Sequence, residues 1–324
     1  MTSMTLRSLV GVAGLVLLGM APASGAPFMI VGNDEKVTWD DEGKLVLSPP
    51  GRDSVVILDL AEPENPRVVA TLPLKNSIVG PPVNLAIDPT NSLALVADSV
   101  DVVREGEALK QVPNDKIHVI DLKANPPRVA ATISAGRQPS GLSISPRGDL
   151  ALVANRGDNS ISVLSINGTE VRVTGTVAMG EQVAHVVFTP DGKRALAVKF
   201  PSGKVSVLEV NGREVTYNRL DLPTGPWPYN VEVSPDGRIA LTADNGNAGA
   251  SDGSVDTVSV VDLEARPPRI VDRVVVGDGP EGLAVSPRGD LAVAAILRGS
   301  NAPKGAYFHT GTGPSTCCGS MASA

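Results

Sequence analysis

The chain has 324 residues, 28 Lys and Arg against 35 Asp and Glu, and a formal charge of -7. That balance excludes a nucleic-acid binder, because phosphate recognition needs clustered cations whose counterion release supplies the affinity. Hydrophobic residues at 42% and charged residues at 19% exclude a disordered chain, and only 3% aromatics leave Val, Ile, Leu and Ala to build the core, a mix that favours strands.

In chain order, Arg7 precedes an apolar run over 9–20, followed by the small residues Ala21, Pro22, Ala23, Ser24, Gly25 and Ala26. Residues 1–25 therefore read as a signal peptide. The run is too short for a membrane span, which needs roughly 20 apolar residues, so the expected product is soluble and exported, periplasmic or secreted. Cys317 and Cys318 are the only cysteines. An exported body without them has no disulfide framework, so its stability must come from packing.

Residues 27–309 carry one recurring unit. Its turn is Pro146-Arg147-Gly148, repeated as Pro190-Asp191-Gly192, Pro235-Asp236-Gly237 and Pro287-Arg288-Gly289, with Pro89-Thr90-Asn91 as a variant. These prolines lie 57, 44, 45 and 52 residues apart, close to the ~40 to 45 of four-stranded propeller blades once insertions are allowed for. An earlier copy is expected to start near Trp39, with Asp41-Glu42-Gly43 as its turn and 54–60 as its third strand, which makes six copies.

Each copy parses into four strands. The first alternates (Val231-Glu232-Val233) and ends at the Pro-x-Gly reversal; the second is a buried run (Ala195-Leu196-Ala197-Val198). The third (205–210) is joined to the fourth by a two-residue turn such as Asn211-Gly212 or Asn167-Gly168, where both positions tolerate positive φ. No helical periodicity follows residue 26. The predicted fold is all-β: a β-propeller of four-stranded antiparallel blades, six recognisable copies of a seven-bladed pattern. A β-sandwich is the alternative, disfavoured because it needs no fixed repeat.

The Ala-Leu-Val-Ala-Asn155 strand and the Ser-Pro-(Asp/Arg)-Gly turns resemble the bacterial YVTN-type β-propeller family, lactonase-like in fold and usually seven-bladed. The resemblance spans nearly all of residues 36–300. It implies the fold and says little about activity.

Residues 310–324 depart from the pattern. Read in another frame, permitted codons there spell a third strand and its hairpin turn, so the expectation is a frameshifted end that removed the last strands of the sixth copy and a seventh. Two adjacent thiols without partner ligands do not make a metal or redox site.

Two long insertions, 98–116 and 244–256, fall between second and third strands, on the face where the innermost strands begin. The residues entering those strands are Asn84, Gly141, His185, Asn230 and Gly282, preceded by Val83, Ser140, Ala184, Tyr229 and Glu281. A ring of Asn84, His185, Asn230 and Glu281 would converge on the axis. It could hold a divalent cation such as calcium or orient a small ligand; the simpler reading is polar side chains facing channel water. Trp227 and Tyr229 form an aromatic edge that would stack on a sugar or peptide or pack between blades. The acidic loop from Asp244 to Asp256 lacks the ordered spacing of a calcium loop and reads as a mobile polar insertion. The sequon Asn167-Gly168-Thr169 is explained by its hairpin turn. No nucleophile with its base, phosphate loop or zinc signature is present.

The expected function is an exported, non-enzymatic binding or scaffold propeller, with no cofactor, that engages a protein, glycan or small molecule through the insertion face. The resemblance implies an alternative, a metal-dependent lactone hydrolase with Glu281, Asn230 and Asn84 as metal ligands and His185 as assisting base.

Overall fold

The Ser-Pro-x-Gly turns fold as the sequence requires. In the copy at 234–237, Gly237 N–H donates to Ser234 O at 2.8 Å, and the Ser234 hydroxyl donates to Asp236 at 2.6 Å and accepts from Ile239 N–H at 3.0 Å. Gly237 sits at φ +73°. Built on these glycines, a Cβ would meet the turn proline of the preceding copy: Pro89 from Gly148, Pro146 from Gly192, Pro190 from Gly237 and Pro235 from Gly289, at 3.4–3.7 Å. Successive turns therefore stack in sequence. That spacing is ordinary contact, so Gly237→Ala should cost about 1–2 kcal/mol through its left-handed backbone, readable as a lowered urea midpoint with an unchanged m-value.

The computed structural model describes residues 27–77, 82–310 and the backbone of 319–322. The expected signal peptide and the suspected frameshifted segment lie almost wholly outside the described residues. Four complete blades run from inside outward in chain order. The first is β6 (Leu85–Ile87), β7 (Leu93–Glu105), β8 (Ala108–Asp121) and β9 (Arg128–Ser134). Next come β10 (Pro139–Ile144), β11 (Leu150–Asn155), β12 (Ser160–Asn167) and β13 (Glu170–Ala178), then β14 (Val186–Phe188), β15 (Arg194–Lys199), β16 (Lys204–Asn211) and β17 (Glu214–Pro223). The last complete blade is β18 (Pro228–Val233), β19 (Ile239–Asp244), β20 (Asp256–Asp262) and β21 (Arg269–Gly277). All pairings are antiparallel, and no α-helix occurs among the described residues.

Two sheets flank these blades. The C-terminal one holds β22 (Pro280–Val285), β23 (Leu291–Ile296) and β24 (Gly319–Ala322). The N-terminal one has the order β1 (Phe28–Asn33), β4 (Ser54–Asp59), β5 (Arg67–Leu72), with a separate hairpin of β2 (Val37–Trp39) and β3 (Leu45–Leu47) inserted between β1 and β4.

Here the first copy needs correcting. The third strand is where it was expected, but Phe28–Asn33 is the second strand: Asn33 Nδ2 donates to Ser54 Oγ at 3.2 Å as Asn155 Nδ2 does to Ser160 Oγ at 3.0 Å. The Asp41-Glu42-Gly43 turn belongs to the inserted hairpin, whose apolar alternation around a turn glycine imitates a first and second strand. The 98–116 insertion is also not a loop. It is a β-ribbon prolonging β7 and β8, with Val102 paired to Gln111, Gly106 at φ +65° in its turn, and Val100 and Val102 buried.

The core lies between blades, because each sheet is apolar on both faces. Leu150, Leu152 and Ile161 pack against Val186, Phe188 and Ala197, and Leu196, Val198 and Val205 against Tyr229, Val231 and Ala240. Comparable layers join each consecutive pair of sheets. Among the described residues none joins the C-terminal sheet to the N-terminal one. There the contact is made by the inserted hairpin, where Lys304 N–H donates to Asp41 O at 2.9 Å and its ammonium meets the Asp41 carboxylate at 2.7 Å.

Candidate binding face and channel

Four long connections share one face, each between a second and a third strand: 34–53, the ribbon beyond Asp98, 245–255 and the segment after Ile296. The opposite face carries the stacked Pro-x-Gly turns and short hairpins such as Asn211-Gly212. The 245–255 loop is anchored, contrary to the mobile insertion expected. Asn245 accepts from Gly249 N–H at 2.5 Å, Asn301 donates to Gly249 O at 2.8 Å and accepts from Ser251 N–H at 3.1 Å, and Asp278 accepts from Gly253 N–H at 3.0 Å. Its bounding carboxylates are already used within the fold: Asp244 accepts from Thr242, Thr257, Ser259 and Gly225 N–H, and Asp256 from Gly279 N–H.

At the root of the N-terminal insertions Lys36 is buried with two buried carboxylates. Its ammonium meets Asp34 at 3.1 Å, Asp53, and Asn76 O at 2.6 Å. Burial opposes its charge, but the Asp53 hydrogen bond and the two carboxylates outweigh it and raise its pKa. Neighbouring Asp98, also buried, accepts from Asn114 Nδ2 at 2.5 Å, and burial pushes its carboxyl up to about 6.

The innermost strands enclose a channel cavity of about 430 Å³, walled by residues such as Leu85, Ile144 and Val187 and holding His185, Asn230 and Glu232. Of the expected ring, His185 and Asn230 are thus brought together. Asn84 is buried and donates to Ala97 O of its own blade at 3.0 Å. Glu281 lies on the insertion side, 3.5 Å from Asn245 Nδ2. Burial drives the His185 imidazole down to about 4 despite the opposing Asn230 hydrogen bond, so it is neutral near pH 7, and its Nδ1 accepts from Val231 N–H at 3.4 Å.

Sequence reasoning missed Glu232. Period-2 alternation places it on the same strand face as Asn230, and burial pushes its carboxyl up to about 7, as it does that of Glu281. Reading the strand's interior as well as its entry residue would have found it.

Trp227 and Tyr229 both pack on Phe200, at centroid distances of 5.1 and 5.9 Å, and the Arg156 guanidinium lies 4.9 Å over the same ring. Tyr229 is only 7% exposed and belongs to the core layer between blades, whereas Trp227 is half-buried. Among the described residues no three His, Cys, Asp or Glu gather as a metal site. The Asn84 amide nitrogen is bonded to Ala97 O, Glu281 lies beside Asn245, and Asn230 Oδ1 is buried without a hydrogen-bond partner.

The family described as Lactonase, 7-bladed beta-propeller matches residues 117–221, about a third of the chain. No curated protein matches. Among solved structures, a Lactobacillus plantarum protein is 15% identical with TM-score 0.59, covering 81% of this chain and 76% of that one. A functionally unknown protein from Desulfotomaculum acetoxidans is 13% identical with TM-score 0.60, covering 75% and 69%. Hydrazine synthase of Kuenenia stuttgartiensis is 18% identical with TM-score 0.53; 68% of this chain is covered, and the chain spans 56% of that one. At these identities the likeness concerns the fold. Repeat, blade topology and family match agree: the chain folds as a lactonase-like β-propeller.

Proposed function

We propose that the protein is an exported, non-enzymatic binding or scaffold propeller that engages its partner through the face bearing the insertions. The observation that carries this reading is the asymmetry of the two faces: four long connections, among them a β-ribbon and an anchored polar loop, gather on one side and tight turns on the other. Loops on a rigid scaffold are where recognition concentrates. A photo-crosslinker at Arg104, on the ribbon tip, should trap a partner from a periplasmic or culture fraction. One at Arg213, on the opposite hairpins, should not; trapping only at Arg213 would reverse the assignment.

The family match supports a second reading, a lactone hydrolase. His185 is a weak base when its pKa lies near 4, and Glu232 is the better-placed proton acceptor in the channel. A lactone panel with and without chelator, alongside metal analysis, separates the readings. No turnover is expected; chelator-sensitive turnover with stoichiometric metal would establish the hydrolase.

A further inference from the structure

We propose that the channel cavity binds a small organic cation, an alkylammonium whose head meets the Glu232 carboxylate and Asn230 Oδ1 while its aliphatic body lies along the channel wall. Asn230 pairs with Ala243 and Glu232 with Leu241, so period-2 alternation puts both side chains on one face of β18. Both line the cavity, and the wall around them is aliphatic, with Leu85, Ile87, Leu142, Ile144, Val187 and Leu283.

The two polar groups lack the partners that burial demands. Asn230 is 1% exposed, and its Oδ1 accepts no hydrogen bond. The Glu232 carboxyl has no hydrogen-bond or ion-pair partner among the described residues; burial alone acts on it, with no cation near enough to oppose the effect. His185, in the same cavity, is neutral near pH 7 and supplies no counter-charge. Acceptors left in this state pay their desolvation cost without compensation, so the site favours a ligand that brings donors and positive charge. The rest of the chain offers little substitute. Residues 1–26, 78–81 and 311–324, whose side chains lie outside the described set, hold one basic side chain, Arg7.

Shape and donor set decide among cations. A cavity of about 430 Å³ falls within the range of small-molecule sites, which are largely apolar with a few placed polar groups. A calcium ion takes about six to eight oxygen ligands, whereas this cavity presents one carboxyl and one free amide oxygen among aliphatic side chains. An alkylammonium uses both oxygens and buries its chain against the wall. The site is separate from the insertion face, so its failure would leave the partner-binding reading untouched.

The test titrates n-pentylammonium chloride into the full, chelator-treated chain at pH 8 by calorimetry, with 1-pentanol as the neutral isostere and calcium chloride as the metal probe. Pentylammonium should bind saturably at one site, more tightly than pentanol, and raise the melting temperature. Glu232→Gln should weaken it about tenfold or more, because a charge-assisted hydrogen bond is lost, and Asn230→Ala should weaken it to a smaller degree. Glu281→Gln, on the insertion side, should leave it unchanged. Glu232→Gln relieves a buried charge at this pH, so loss of binding with an undiminished melting temperature separates the site from the fold. No saturable binding, equal affinity for pentanol, insensitivity to Glu232→Gln, or displacement of pentylammonium by calcium would overturn the proposal. So would tighter binding on Arg7→Gln, which would assign the carboxylate to the chain's own arginine.

Discussion

Lys36→Ala should lower stability by about 3–5 kcal/mol, because removing one partner of a buried ion cluster leaves its counter-charges uncompensated. Lys36 is 1% exposed and its partners Asp34 and Asp53 are 0% and 1% exposed at the side chain. The same ammonium donates to Asn76 O, while the Asn76 amide ties Asn33, Ser54 and Leu74 together. The cluster therefore joins the start of the inserted hairpin to the sheet that bears it. Chemical denaturation near neutral pH reads the loss. Lys36→Met combined with Asp53→Asn should recover part of it. A loss under 1 kcal/mol for Lys36→Ala would mean that water already reaches the cluster.

Between about pH 4.5 and 7 stability should fall, with Glu232 and Glu281 as leading contributors. Burial raises both carboxyls from 4.5 to about 7, and Asp98 from 3.8 to about 6. A carboxyl with a higher pKa in the folded state binds more protons there than in the unfolded chain, so stability declines as pH rises through that interval and levels off above the folded pKa. The full shift corresponds to about 3 kcal/mol per glutamate, and partial exposure of both side chains reduces this to about 1–2 kcal/mol. Glu232→Gln should thus raise the melting temperature at pH 8 by a few degrees and leave it nearly unchanged at pH 4.5. A flat wild-type profile would show that these carboxyls are well solvated. The turn aspartates act in a different window. Hydrogen bonds outweigh burial and hold Asp88, Asp149 and Asp191 below the usual value, so their contribution is present above about pH 4 and lost below it.

How much was legible follows from what repeats. Gly148, Gly192, Gly237 and Gly289 recur with their prolines because each blade solves the same local problem, a reversal whose backbone needs positive φ. The strand that starts at Phe28 was missed because its partner Ser54 lies beyond a hairpin that carries the same alternation and turn chemistry. Periodicity reports which side of a strand is apolar, and it cannot say which other strand lies beside it.

The site shows the same division. The structure puts His185 and Asn230, two of the aligned positions, at the channel, since a strand's entry point is set locally. The alignment did not anticipate that the Asn84 amide would bond to Ala97 O or that Glu281 would lie beside Asn245, because side-chain partners are chosen after neighbouring blades dock. By itself the sequence determined the turns, the alternation and hence the β-propeller, all of them consequences of backbone geometry within a few residues. Only the tertiary structure decided which carboxyls are dehydrated and which loops are anchored, because burial is a property of what packs around a residue from distant parts of the chain.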